Sequence, residues 1–277
     1  MKPDLKSLEN CFRLDQKVAI VTGGGGILGR QFCSGLAQFG AIVCICDINI
    51  EAAQKVSTEI EQQFGLKSHP YLLDVSNEES AESVIDDIER RFGSIDILHN
   101  NAATKSSSLE KFFGKVETYD PETWHEVMSV NVTGMFNMAK AAGKKMVGQE
   151  QGGCIIQTSS IYGILAPDQR IYSGSRYMDT EINTPAVYSV SKAAVVGLTN
   201  YLSTYWADKK IRVNTLTPGG VSSGQNDVFA QKYSQRVPLG RMAEAHEMVG
   251  ALIFLASPAA SYITGQNLVV DGGLGVW

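Results

Sequence analysis

Short apolar runs alternate with longer stretches of helical periodicity along the whole 277-residue chain. Runs at 17–22 (KVAIVT), 41–47 (AIVCICD), 67–73 (KSHPYLL), 95–99 (IDILH), 152–158 (GGCIIQT), 211–215 (IRVNT) and 267–270 (NLVV) read as strands. Most are unbroken, which suits strands covered on both faces of a parallel sheet. Between them the spacing predicts helices over about 27–39, 50–64, 77–92, 121–147, 185–208 and 244–256. SNEES at 76–80 has the form of an N-cap followed by acidic first-turn residues, and Pro121 and Pro185 suit helix starts. This order predicts an α/β fold: one doubly wound domain with a seven-stranded, mostly parallel sheet and helices on both faces. Such sheets bind ligands beyond the carboxyl ends of their strands, so chemistry is sought just after each strand.

No repeat, low-complexity block or linker divides the chain, which reads as an N-terminal extension, 1–14, and a single domain, 15–277. Hydrophobic residues make up 44% and charged residues 19%, enough apolar content to exclude a disordered chain. The net charge of −5, without a basic patch, argues against nucleic acid or an anionic membrane as partner. No apolar run reaches the roughly 18 residues of a membrane span, and MKPDLKSLENCF lacks the apolar core of a secretory signal. Five scattered cysteines with no CxxC read as reduced thiols of a cytoplasmic protein. His69, His99, His125 and His246 have no paired metal-ligand spacing, so no metal is expected. His99 reads as a packed, hydrogen-bonded histidine, and Cys44 and Cys46 as core residues on one strand face.

The first strand runs into Thr22-Gly23-Gly24-Gly25-Gly26-Ile27-Leu28-Gly29. Gly24, Gly26 and Gly29 satisfy GxGxxG between strand and helix, where bare backbone and helix N–H groups can cradle a pyrophosphate. A plain tight turn is the alternative. Asp47 closes the second strand, 24 residues after Gly23. A carboxylate there suits both ribose hydroxyls and repels a 2′-phosphate, favouring NAD over NADP; capping of the next helix is its other reading. Asp74 and Val75 follow the third strand, where Asp74 is an adenine contact or a turn residue. Tyr188 and Lys192 stand at i and i+4 on one helix face, where an ammonium would lower the phenol's pKa toward neutrality. A phenol so tuned can exchange a proton with an alcohol or carbonyl.

Together these motifs resemble the short-chain dehydrogenase/reductase family, a Rossmann-fold family, over about residues 14–277. The resemblance rests on TGGGGILG (22–29), Asp74-Val75, Asn100-Asn101-Ala102-Ala103, Asn131 in SVNVTG, Ser160 in TSSIYG, Tyr188 with Lys192, Pro218-Gly219, and TGQNLVVDGG (264–273). It implies Tyr188 as general acid/base, Lys192 as ribose ligand and phenol activator, Ser160 as the substrate-oxygen donor, and Asn131 as holder of a helix kink and relay water. It implies cofactor contacts from Gly23, Gly26, Ile27, Leu28, Gly29, Asp47, Asp74, Val75, Asn101, Ala102, Tyr188, Lys192, Pro218, Gly219, Val221 and Ser223. A homotetramer or homodimer is implied too, with apolar faces of 121–147 and 185–208, including Met135, Phe136, Met138, Val195, Leu198 and Leu202, packing between subunits.

Two departures stand out. Ile27 occupies a position where shorter members carry glycine, so the spacing matches longer nucleotide-sugar members. Ala103 replaces the usual glycine of NNAG. The 28 residues from Ser160 to Tyr188 contain an insertion, 164–186, expected to wall the substrate side. SSIYG, the insertion and PGGV…QN are similar to a subgroup of bacterial sugar biosynthesis, including sialic-acid-like sugars. Arg170 and Arg176 in the insertion are candidates for a substrate anion, or for pairing with Asp168, Asp179 or Glu181. The expected activity is NAD-dependent hydride transfer at a secondary alcohol or ketone of a small sugar-like molecule. Alternatives are a nucleotide-sugar epimerase or dehydratase using bound NAD, and a non-catalytic dinucleotide-binding protein.

Overall fold

The computed structural model describes residues 8–277. Its strands and helices follow in chain order: β1 (Val18–Thr22), α1 (Ile27–Gln38), β2 (Ile42–Asp47), α2 (Ile50–Phe64), β3 (Ser68–Leu72), α3 (Glu78–Phe92), β4 (Ile97–Asn100), α4 (Leu109–Phe112), α5 (Pro121–Met128), α6 (Met135–Val147), β5 (Gly153–Thr158), β6 (Arg176–Tyr177), β7 (Thr180–Glu181), α7 (Ala186–Tyr205), β8 (Ile211–Pro218), α8 (Asp227–Ser234), α9 (Val249–Ala256) and β9 (Asn267–Val270). Seven strands form one sheet in the order β3-β2-β1-β4-β5-β8-β9, and every pairing in it is parallel. The strand order reverses between β1 and β4, which opens a crevice at the carboxyl edge.

The period of two along each strand divides the core. Val43 and Ile45 of β2 face Phe32 and Leu36 of α1, Ile60 of α2 and Leu252 of α9. Cys44 and Cys46, alternating with them, face the opposite layer with Ile85 and Ile88 of α3, Met138 and Met146 of α6 and Leu202 of α7. Each large apolar side chain so buried contributes about 1.5–3 kcal/mol. Side-chain caps define the starts of α2 and α3, where Asn49 and Asn77 accept N–H groups of Ala52 and Ser80.

The structure differs from the sequence reading at several elements, among them the short helix α4. The expected helix over 121–147 is interrupted by a π-helical turn, Ser129–Gly134, between α5 and α6. The last expected helix opens as a 3-10 turn, Ala245–Met248, before α9. Helix α8 and the β6–β7 hairpin were not legible, being short and lacking a strong period. Residues 1–7 of the expected extension lie outside the described residues, while Leu14 is part of the main core and its N–H donates to the Phe39 carbonyl. Among the described residues, no helix is long and apolar enough to cross a membrane.

Candidate active site

A cavity of about 720 Å³ lies beyond the carboxyl ends of the strands, and most of the expected site residues line it. At one end is the loop from β1 to α1. Gly23 adopts a left-handed φ of 63°. A Cβ on Gly29 would stand 2.0 Å from the Gly23 carbonyl oxygen, so the loop closes onto the helix only with glycine there. No side chain caps α1, which starts after Gly26 and leaves first-turn N–H groups of Ile27, Leu28 and Gly29 for an anion. Asp47 lies at the same end. Its Oδ2 accepts the Gly25 N–H and its Oδ1 the Asn49 N–H, both at 2.9 Å. Asp47 therefore braces the glycine loop, while Asn49 is the helix cap. Asp74 Oδ1 accepts both the N–H and hydroxyl of Ser76, and Asp74 and Val75 also line the cavity. Bare glycine backbone, free helix N–H groups and a carboxylate after β2 fit a dinucleotide.

The middle of the cavity is built by β4, β5 and α7. Thr22 Oγ1 accepts the N–H groups of Asn101 and Ala102, each at 3.0 Å, tying the loop after β4 to the glycine loop. Asn131 is fully buried in the π-helical turn, a common location for functional distortions. Its Oδ1 accepts the Thr104 N–H at 2.8 Å and its Nδ2 donates to Ser191 Oγ at 3.3 Å, linking the helix to α7 beside Lys192. Ser160 caps a short turn after β5, its Oγ accepting the Tyr162 N–H. The turn packs so tightly on α7 that a Cβ on Gly163 would sit 2.6 Å from the Lys192 carbonyl carbon.

Tyr188, Ser160 and Lys192 converge on this cavity. Burial raises the Tyr188 pKa, against which a hydrogen bond with Ser160 acts. Lys192, 3% exposed, donates to the Thr158 carbonyl at 3.0 Å, and burial lowers its pKa to about 8. The expected dominance of the ammonium over the phenol is thus corrected: burial governs both groups. His99 is packed, with Nε2 2.8 Å from Thr158 Oγ1 and its ring edge-on to Phe32. Burial lowers its pKa to about 3, so it stays neutral.

The opposite wall comes from β8 and the insertion. Pro218, Gly219, Val221 and Ser223 line the cavity, with Ser223 Oγ accepting Gln225 Nε2. The insertion is a wall with its own core: Ile171 and Tyr172 pack with Phe229 and Tyr233 of α8. Asn226 pins it, its Oδ1 accepting the Arg176 N–H and its Nδ2 donating to Gly174. Tyr172, Tyr177, Asn183 and Thr184 face the cavity.

The insertion arginines do not. Arg170, 90% exposed, forms a two-bond fork with Asp168. Arg176 Nη1 donates to the Asp179 carbonyl and its Nη2 lies 3.9 Å from Glu181. Both candidates for an anion are therefore spent on neighbours. Lys105 and Asn183, which the sequence reading passed over, line the cavity instead. Neither carries a motif; only the fold brings them there. Among the described residues, no three His, Cys, Asp or Glu side chains gather to hold a metal.

The chain matches the family described as Enoyl-(Acyl carrier protein) reductase over residues 26–275. It is 32% identical to the 3-oxoacyl-(acyl-carrier-protein) reductase of Aquifex aeolicus, covering 95% of this chain and 98% of that protein. It is 31% identical to the NADP-dependent mannitol dehydrogenase of Alternaria alternata, covering 98% and 97%. A crystal structure of NAD+-bound xylitol dehydrogenase superimposes with a TM-score of 0.81 at 29% identity, covering 94% of this chain and 99% of that one. With the Rossmann-like sheet and this extent of similarity, the chain belongs to the short-chain dehydrogenase/reductase family, oxidoreductases acting on CH–OH and keto groups.

Proposed function

We propose that this protein interconverts a secondary alcohol and a ketone on a small polyol or sugar derivative, using NAD. The observation that carries this reading is the convergence of Ser160, Tyr188 and Lys192 on one cavity that also holds Asp47 and the glycine loop. The loop 23–29, Asp47, Asp74, Val75, Asn101, Ala102, Pro218, Gly219, Val221, Ser223 and Lys192 would hold the dinucleotide. Bound there, nicotinamide supplies the acceptor or donor of the hydride. Tyr188 removes the hydroxyl proton in oxidation and returns it to the carbonyl oxygen in reduction. Ser160 donates a hydrogen bond to that oxygen. Lys192 carries positive charge one helical turn from the phenol, favouring its deprotonated form against burial. Asn131 holds the π-helical turn against α7 and so fixes Ser191 and its neighbour Lys192.

The polyol reading draws on the mannitol and xylitol dehydrogenase relatives and on the polar wall of the insertion. NAD is favoured by Asp47, where a 2′-phosphate would meet a carboxylate and no neighbouring cation in DINIEAAQ. The five free cysteines suit a reducing, cytoplasmic setting. A homotetramer would cover Phe136, Val190, Tyr201 and Tyr205, which remain exposed on α6 and α7. Of the apolar residues named from sequence for that interface, Met135, Met138, Val195 and Leu202 are buried within the subunit instead. A light-scattering mass of one subunit at micromolar concentration would refute the assembly.

The test of activity is a panel of polyols, sugars, sugar phosphates and nucleotide sugars with NAD, read at the NADH absorbance. Formation of NADH with at least one alcohol is expected. Conversion of a nucleotide sugar without net NADH would replace this reading by an epimerase or dehydratase.

A further inference from the structure

Among the described residues, two lysines line the cavity and no arginine does. Lys192 is committed to the Thr158 carbonyl. Lys105 has no ion pair and no hydrogen bond from its ammonium among the described residues; its Nζ lies 3.8 Å over the ring of Tyr177. Lys105 lines the cavity and keeps much of its surface accessible. Partial desolvation lowers its pKa, with no carboxylate opposing the effect. Lys17, by contrast, pairs with Asp96, and Lys145 with Asp86 and Glu89. Glu126, an acid lining the same cavity, accepts the Ser107 N–H and forms no ion pair with Lys105.

The backbone around Lys105 is fixed. The Thr104 N–H is held by Asn131, the residue of the π-helical turn. Ser106 adopts a left-handed φ of 63° and its N–H donates to Thr104 Oγ1. Lys105 is thus presented from a braced loop, opposite a tyrosine from the insertion. That tyrosine is held in turn, since Tyr177 forms a β-bridge with Gln225, the partner of Ser223. Asn183 also lines the cavity, but its Oδ1 is shut off inside the protein and its Nδ2 donates to the Phe113 carbonyl.

We propose that Lys105 is the anion-recognition residue of the substrate site, binding a carboxylate or phosphate carried by a polyol. The substrate class is therefore an acidic polyol, an aldonate or an alditol phosphate, rather than a neutral one. Tyr177 holds the ammonium in place by cation–π attraction until the anion arrives. This assignment rests on the alcohol-oxidising reading only for the identity of the reacting group; anion binding at Lys105 stands on the geometry.

The test compares mannitol, mannonate and mannitol 1-phosphate, and their stereoisomers, as substrates of wild type, Lys105→Met and Lys105→Arg. Wild type should favour one anionic class over its neutral counterpart by at least tenfold in kcat/KM. Lys105→Met should remove that preference through KM, changing neutral-polyol kinetics and NAD affinity less than threefold, and Lys105→Arg should restore much of it. The two anionic arms separate carboxylate from phosphate. In parallel, calorimetry measures inorganic phosphate binding to the NAD-loaded protein, in which the pyrophosphate site is filled. A Kd at least tenfold higher in Lys105→Met supports the site even if no alcohol is turned over, an outcome that would refute only the activity. Equal phosphate binding in both proteins overturns the proposal. So does a loss of NAD affinity in Lys105→Met with substrate KM unchanged, which would assign Lys105 to the cofactor.

Discussion

The Lys192 ammonium donates to the backbone carbonyl of Thr158 at 3.0 Å, and Thr158 in turn touches His99 through its hydroxyl. The end of β5 thereby holds the cation of α7 in a nearly water-free position. Burial of a charge there opposes folding, and its use lies in the chemistry beside it. A group that costs stability at a site rich in perturbed neighbours is the signature of a functional position.

Lys192→Met should therefore separate function from stability. Turnover is expected to fall about 10²-fold or more, and NAD binding to weaken. The melting temperature of the cofactor-free protein should fall by no more than about 2 °C, because the lost hydrogen bond is offset by the lost burial penalty. Calorimetric melting and NADH formation measure the two.

The pH dependence of that stability has a definite sign. Lys192 loses its proton at about pH 8 in the folded chain, against 10.5 as the ordinary value. Between those values the unfolded chain binds more protons, so wild-type stability rises with pH relative to Lys192→Met. The gain is of order 3 kcal/mol across that range. Denaturant unfolding of both proteins at pH 7.5 and 9.5 (about the limits of a practical experiment) checks it; a difference independent of pH would contradict the burial of the ammonium.

Tyr188→Phe should keep the fold and NAD affinity while lowering turnover about 10²-fold or more. Its loss tests the proton path alone, since Phe preserves the packing of the ring. Retained activity would move proton transfer to another cavity hydroxyl. Tyr172 is a poor replacement, because its hydroxyl is bonded to Thr184 and burial raises its pKa strongly.

Asp47→Ser should shift the ratio of catalytic efficiency with NADP to that with NAD by at least tenfold toward NADP. Removing a charge repulsion and a bidentate acceptor is worth of order 1–3 kcal/mol. Part of the NAD efficiency should also fall, because Asp47 braces the Gly25 N–H. Steady-state kinetics with both cofactors decides it; an unchanged ratio would remove Asp47 from cofactor choice.

Arg170→Ala should leave KM for the best substrate unchanged within twofold and the melting temperature nearly so. The side chain is solvent-exposed and bonded only within its own turn. A large rise in KM would mean that the insertion rearranges when substrate binds.

Several features were legible in the sequence because they are local. Apolar runs without alternation announced the parallel sheet, and the glycines between β1 and α1 announced a backbone that must approach both itself and a ligand. Gly29 makes the point: a Cβ there would stand 2.0 Å from the Gly23 carbonyl oxygen, so the residue type follows. The i, i+4 spacing of Tyr188 and Lys192 likewise needed only the helical period. Other features depended on residues far apart in the chain. The amide of Asn131 in the π-helical turn is met by Thr104 and Ser191, 27 residues before and 60 after. Arg170 and Arg176 carry the right charge for an anion site, but charge does not state direction, and Asp168 and the Asp179 carbonyl hold them at the surface. Lys105 has no motif at all. It becomes notable only when the fold sets the loop after β4 against the insertion and leaves the ammonium over Tyr177 without an ion pair, because the free energy of an unpaired cation is a property of its surroundings in three dimensions and not of its neighbours in sequence.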